Sequence, residues 1–249
     1  MSEDPGARAG GRAGAIAALV AGLVAAAGVA FVAGRDRAPP PDATPVMAKP
    51  TLMLLSSLPL VFAEKFGFDG GGSPALMALA MQYRVVPIGV ADAPTLGNRR
   101  LLLMAHPRAQ PAEALVDLDR WVRGGGRLLL LADPMLEWPS ERPLGDPLRP
   151  PPAFADTGLL KHWGLRLDAP DERGSKQLSL AGQAIVTGSP GSLFGGCAIS
   201  DHRLVARCRI GKGQATIVAD ADFLNVDDLD GPTENNLKAV LAELAALDR

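Results

Sequence analysis

Four consecutive leucines, Leu128–Leu131, stand between a glycine stop, Gly124–Gly126, and an acidic turn, Asp133-Pro134. A run this short cannot span a membrane, and the proline beyond it blocks continuation as a helix. The run reads as a strand that is apolar on both faces. Such strands belong to parallel sheets covered by helices on either side. The stretch before it, Pro111 to Arg123, places Leu115, Leu118 and Val122 at helical spacing and ends at the glycines.

The same alternation recurs along the chain. Leu52–Leu55 is an apolar run bounded by Ser56-Ser57 and Pro59, which predicts a buried first strand. Ser73-Pro74 has the form of an N-cap followed by proline at the first helical position. Tyr83–Ile88 and Leu101–Ala105 read as the second and third strands, and Arg127–Leu131 as the fourth. Strand and helix in turn predict an α/β fold with a mostly parallel sheet and helices on both faces. With 249 residues, 47% of them hydrophobic, the chain can bury one substantial core.

Beyond the fourth strand, Trp138–Phe154 is interrupted by prolines and reads as a long loop. Thr157–Gly164 reads as a short helix, and the chain from there to about Ser200 as irregular. Leu204–Ile210 alternates apolar with polar residues, Gly211-Lys212-Gly213 is a turn, and Ala215–Ala219 is apolar again. Together they predict a C-terminal hairpin. Thr233 is the expected cap of a last helix with Leu237, Val240, Leu241 and Leu244 on its apolar face.

The N-terminus is of another kind. Gly14–Ala33 carries no charge and is long enough to cross a bilayer as a helix. Arginines flank it on both sides, so charge does not orient it, but a short tail ahead of a large domain favours the domain outside. A cleaved signal peptide, with small residues near Ala30, is the alternative. Both place the domain outside the cytoplasm. The expected organisation is a tail (1–13), a transmembrane helix or signal anchor (14–33), a proline-rich linker (34–50) and an α/β domain (51–249). The expected location is the inner (cytoplasmic) membrane, crossed once.

Several function classes are excluded by composition and motif. A net charge of −2 without a lysine/arginine block lacks the footprint of nucleic-acid binding. Neither GGGR (Gly124–Arg127) nor GKGQ (Gly211–Gln214) has the P-loop or dinucleotide pattern. Ligands of open α/β sheets bind beyond the carboxyl ends of the strands, where this reading places Ser56, Ser57, His106, Asp133, Asp220 and Asp222. A small ligand held at that rim under the Trp138–Phe154 loop is one reading. A Ser57–His106–Asp133 triad is another, but LLSSLPL lacks the glycines a nucleophile elbow needs. Asp220–Asp230 resembles a calcium loop only superficially: Leu224, Asn225 and Gly231 stand where an EF-hand requires an oxygen ligand, glycine and glutamate. It therefore reads as a solvated turn. Cys197 and Cys208, the only cysteines, lack the histidines for a zinc site and are either a disulfide or two buried thiols.

Three blocks carry a family resemblance: SSLPLVFAE (Ser56–Glu64), LLLMAHPRAQPAEALVDLDRWVRGGGRLLLLADP (Leu101–Pro134) and GKGQATIVADADFLN (Gly211–Asn225). Together they resemble the GldG-like auxiliary components of ABC transport systems. That family is related to the GIFT domain, within the class I glutamine amidotransferase-like superfamily. The resemblance implies a flavodoxin-like sheet in a membrane-tethered, extracytoplasmic domain. It also implies protein partners, the membrane or ATPase subunits of an ABC transporter or other envelope proteins. Amidotransferases of this fold hold a cysteine nucleophile after the fourth strand, where this chain has Ala132-Asp133-Pro134. The expectation is thus a non-catalytic module without metal or cofactor. Its ligand or partner residues are expected among Ser57, Glu64, His106, Asp133, Asp220 and Asp222.

Overall fold

Leu52–Leu55 and the four leucines Leu128–Leu131 lie in two strands of one sheet, separated by a third, each residue at most 3% exposed. The computed structural model describes residues 48–62 and 72–249. The chain divides into two units, Met1–Ala48 and Lys49–Arg249, and the second holds all the elements below. The expected span 14–33 and Glu64 lie outside the described residues. Among the described residues no helix is long and apolar enough to cross a membrane.

The first half alternates as the hydrophobic pattern predicts. It runs β1 (Thr51–Ser56), α1 (Pro74–Gln82), β2 (Arg84–Pro87), α2 (Ala93–Leu96), β3 (Leu101–Ala105), α3 (Ala112–Arg123) and β4 (Arg127–Leu131). The Ser73 hydroxyl accepts the Leu76 N–H at 3.1 Å with Pro74 behind it, so α1 starts where a capping serine and a preset φ coincide. On α3, Ala114, Leu118 and Val122 are buried, and Leu115 packs against the core.

The main sheet has the order β2-β1-β3-β4-β11-β10-β9. The strands β10 (Val205–Ile210) and β11 (Gly213–Val218) form the expected hairpin, and β11 runs parallel beside β4. The five parallel strands therefore follow the 2-1-3-4-5 order of flavodoxin-like folds. Because the order reverses at β1, right-handed crossovers put α1 and α3 on opposite faces. The last helix, α5 (Asn236–Leu247), packs beside α1, and α2 packs beside α3.

The stretch from Gly164 to Ser200 is not irregular, contrary to expectation. After α4 (Leu159–His162) come β5 (Leu165–Asp168), β6 (Ser175–Leu180), β7 (Gln183–Gly188), β8 (Ser192–Gly195) and β9 (Ala198–Ser200). β5 pairs with β8 and β6 with β7, each an antiparallel two-stranded sheet, while β9 adds to the edge of the main sheet. Sequences such as SKQLSL offer little apolar signal because β6 is mostly exposed. Antiparallel ribbons of this sort need only one face packed. Thr233 does not cap α5 either: its hydroxyl donates to Val226 O at 3.3 Å, and the helix begins after Asn235.

Gly213 shows why the hairpin turn is glycine-rich. A Cβ there would lie 2.0 Å from Val122 O and 2.4 Å from Gly126 O, so β11 starts in backbone contact with the end of α3. Gly213→Ala is expected to destabilise the fold by about 2 kcal/mol, read as a lower urea midpoint.

Candidate functional site

β4 and β11 are in register, with Leu131 opposite Val218, and the ladder continues through the Ala132 N–H to Val218 O bond at 2.8 Å. Each strand is followed by alanine and then aspartate, so Asp133 and Asp220 extend the two strand ends side by side. Asp222 joins them from the short 3-10 turn Asp222–Leu224. One carboxylate oxygen of each of the three lies within 4.8 Å of the others, and all three residues are buried. The solvated turn expected at Asp220–Asp230 is therefore wrong at its start, where Asp220 and Asp222 are 0% and 2% exposed.

Each carboxylate is held from a different direction. Asp133 accepts the Met135 N–H at 2.8 Å and the Ala221 N–H at 3.0 Å, one on each oxygen. Asp222 accepts the Glu137 N–H on both oxygens, at 3.1 and 2.9 Å. Asp220 accepts the Thr187 hydroxyl at 2.7 Å and the Asp222 N–H at 2.8 Å, both on Oδ1. Asp220 Oδ2 is buried with no hydrogen-bond partner. Burial pushes all three pKa values above the ordinary carboxylate range. The neighbouring charges add to it: Glu137 at Asp133, Asp133 and Asp222 at Asp220, and Asp133 with Glu137 at Asp222.

Glu137 stands at the exposed edge of this cluster and was not singled out in the sequence. Its Oε1 accepts the Ser189 hydroxyl at 2.7 Å. A Cβ on Gly188 would lie 2.9 Å from Glu137 Oε2 and 3.1 Å from Asp222 Oδ2, so the missing side chain lets both carboxylates face the end of β7. Thr187, Gly188 and Ser189 escape sequence reading because they fall in the stretch that looks irregular, and Glu137 because nothing in the residues around it marks it out. One signal was present: RLLLLAD and QATIVAD end in the same apolar–Ala–Asp pattern.

The other rim residues form a separate set. Ser56 Oγ donates to Ala105 O at 3.0 Å, and Ser57 Oγ donates to the backbone oxygen of His106. The fully buried His106 ring bonds Pro151 O through Nε2 at 2.8 Å. A carbonyl only accepts, so Nε2 carries the hydrogen, and Nδ1 is buried without a partner. Burial lowers the His106 pKa from 6.5 to about 4. The serines thus bond backbone carbonyls, and the triad geometry of a Ser57 nucleophile on the His106 ring is not formed. The proline-rich loop is docked rather than raised: Leu136 N–H donates to Pro152 O at 3.0 Å and Phe154 N–H to Asp133 O at 2.6 Å.

Cys197 and Cys208 are joined in a disulfide with Cα atoms 4.9 Å apart. Cys197 directly precedes β9, and Ala198 pairs with Arg207, so the bridge continues the β9–β10 ladder by one cross-strand pair.

The arrangement defines a flavodoxin-like α/β domain with a buried carboxylate cluster at the carboxyl end of its parallel sheet. No protein-family model matches the chain, and no curated protein does. Among solved structures, it is similar to the exo-β-1,4-mannosidase Op5Man5 from Opitutaceae bacterium strain TAV5. The identity is 14% over 78% of this chain and 35% of that one, with a TM-score of 0.47. It is similar to the cytoplasmic protein STM1381 from Salmonella typhimurium LT2, at 12% identity over 79% of this chain and 99% of that one, with a TM-score of 0.49. A third is a putative ThuA-like protein from Bacteroides uniformis, at 10% identity, 82% and 93% coverage and a TM-score of 0.44. The chain spans about a third of the length of the mannosidase. Likeness of this size carries no argument about activity, and the fold rests on the strand order itself.

Proposed function

We propose that the chain is a non-catalytic, membrane-anchored module that binds protein partners, the subunits of an ABC-type transport system or another envelope assembly. The observation that carries this reading is the turn after β4. Where an amidotransferase-like fold would present a nucleophile, this chain has an aspartate whose two oxygens each accept a backbone N–H, followed by proline. Proline removes an N–H that an oxyanion hole there would use. Both thiols are consumed by the disulfide, which supports an oxidising compartment outside the cytoplasm. The uncharged segment Gly14–Ala33 supports an anchor. The resemblance to GldG-like components supplies the class of partner.

The test is purification of the tagged full chain from its own membranes after mild crosslinking. An ABC-type permease or ATPase is expected in stoichiometric amount; recovery of the chain alone sinks the proposal. Thiol titration of the denatured protein is expected to find no free thiol before reduction and two afterwards. Two free thiols without reductant would overturn the compartment reading.

A further inference from the structure

We propose that Asp133, Asp220 and Asp222 form a binding site for one divalent cation, with calcium as the ion, and that Glu137 guards its entrance. Nothing in this depends on the partner reading above; the two stand or fall separately.

The first observation is geometric. Calcium–oxygen distances are about 2.3–2.6 Å, so two oxygens on one ion can be no more than about 5 Å apart. The three aspartates each offer an oxygen within 4.8 Å of the other two. The second is the orphaned oxygen. Asp220 is fully buried, its Oδ1 takes both the Thr187 and Asp222 donors, and its Oδ2 has no partner within a group of carboxylates. A buried acceptor without a donor is costly unless a proton or a cation meets it. The third is the frame. The other oxygens are aimed by the Met135, Ala221 and Glu137 N–H groups and by the Thr187 hydroxyl, leaving lone pairs for an ion. These donors fix the carboxylates without neutralising them.

The donor set selects the ion. All ligands are carboxylate oxygens, which suit hard cations, whereas zinc favours nitrogen and sulfur. Here both sulfurs are in the disulfide and His106 is turned to Pro151. Magnesium keeps several waters in a strict octahedron. Three carboxylates that can each bind through one or two oxygens suit the larger, more flexible shell of calcium, about six to eight oxygens. Calcium accepts irregular sets of protein oxygens. Glu137, exposed and hydrogen-bonded to Ser189, adds negative charge where an ion would enter beside Gly188. The ion would also relieve the repulsion that lifts the three carboxylate pKa values.

The test uses the full chain stripped with EDTA, near pH 8, at matched ionic strength. Equilibrium dialysis with calcium is expected to give one ion per chain, and a hundredfold excess over Kd should raise Tm by about 5 °C or more. Magnesium at the same concentration is expected to give a clearly smaller shift. Asp220→Asn should abolish the calcium shift while leaving the ion-free Tm equal or higher, because it removes one buried charge from a repelling group. Glu137→Gln alters only an exposed side chain and should weaken calcium binding several-fold. It serves as the informative variant if Asp220→Asn fails to fold. No bound ion on the wild type at about 10 mM calcium, well above the range of extracellular modules, overturns the site. Folded Asp220→Asn or Glu137→Gln that binds like the wild type overturns the assignment of that residue. Equal response to magnesium overturns the choice of ion.

Discussion

Asn236→Ala is expected to lower the stability of the domain by about 4 kcal/mol, more than an ordinary core truncation of its size. Asn236 is fully buried at the start of α5, where its amide closes three backbone groups at once. Its Oδ1 accepts the Val186 N–H at 3.0 Å, and its Nδ2 donates to Val186 O at 2.8 Å and Phe223 O at 2.9 Å. Alanine leaves one donor and two acceptors in the interior without partners. Each such group costs about 1–3 kcal/mol, some of it recovered by local relaxation. Val186 adjoins Thr187, and Phe223 adjoins Asp222, so this one side chain ties together the two segments that hold the carboxylate cluster. Urea unfolding should show a lower midpoint with an unchanged slope. Asn236→Asp keeps the acceptor but loses both donors and is expected to destabilise at least as much. A loss under about 1 kcal/mol in Asn236→Ala would mean that water or backbone movement replaces the amide, and the clamp would be refuted.

The second large effect belongs to His106 and appears only with pH. Its folded pKa of about 4 lies below the ordinary 6.5 because burial disfavours the charge, and a proton on Nδ1 would find no acceptor. The sign follows from proton binding. Between pH 6.5 and about 4 the unfolded chain takes up a proton that the folded chain refuses, so this group's contribution is complete above 6.5 and lost on acidification. The difference amounts to about 3 kcal/mol. The carboxylate cluster acts oppositely: its folded pKa values are raised, so its contribution diminishes as pH rises through them. The two partly cancel in the wild type, and the variant isolates the histidine. His106→Asn suits the left-handed backbone there, at φ 45°, better than most residues and has no charge to gain. Relative to this variant, the wild type is expected to lose about 3 kcal/mol between pH 7 and pH 4. Parallel stability curves for the two proteins would show that His106 titrates normally and is not sealed beneath Pro151.

The strands that were readable share one physical property. β1, β3 and β4 are covered on both faces, so their buried residues are all apolar and the run itself marks the strand. Leu101–Ala105 and Arg127–Leu131 were legible to the residue for that reason. β10 was legible from its alternation, because Arg207 and Arg209 face outward while Ala206 and Cys208 pack inward. β5 to β8 follow neither pattern. Their ribbons are short and partly exposed, and they gain stability from strand pairing, local in the β6–β7 hairpin and between separated segments in β5–β8, rather than from an apolar run.

The candidate site divides in the same way. Asp133, Asp220 and Asp222 were identifiable individually because each follows the end of an apolar strand, where α/β sheets expose polar groups. Reading them as one open rim with Ser57 and His106 was a projection of that rule onto a line. In three dimensions Ser57 and His106 turn to backbone carbonyls under the proline loop, and the aspartates converge elsewhere. Glu137 and Thr187 carried no local signal, since each acts only through an element that folds against it from another part of the chain.

By itself, the sequence determined the alternating α/β architecture, the hairpin, the absence of a phosphate loop, and the lack of a cysteine after β4. These depend on local periodicity, turn residues and the identity of single positions. Only the tertiary structure decided that β11 lies beside β4. That adjacency sets two Ala-Asp strand ends in register and sinks a third aspartate between them, with one oxygen left unpaired. Burial and proximity change what a carboxylate can do, and neither is a property of the chain until distant segments have packed. A stretch that reads as a solvated turn thereby supplies two members of a buried carboxylate cluster, with Glu137 at its edge.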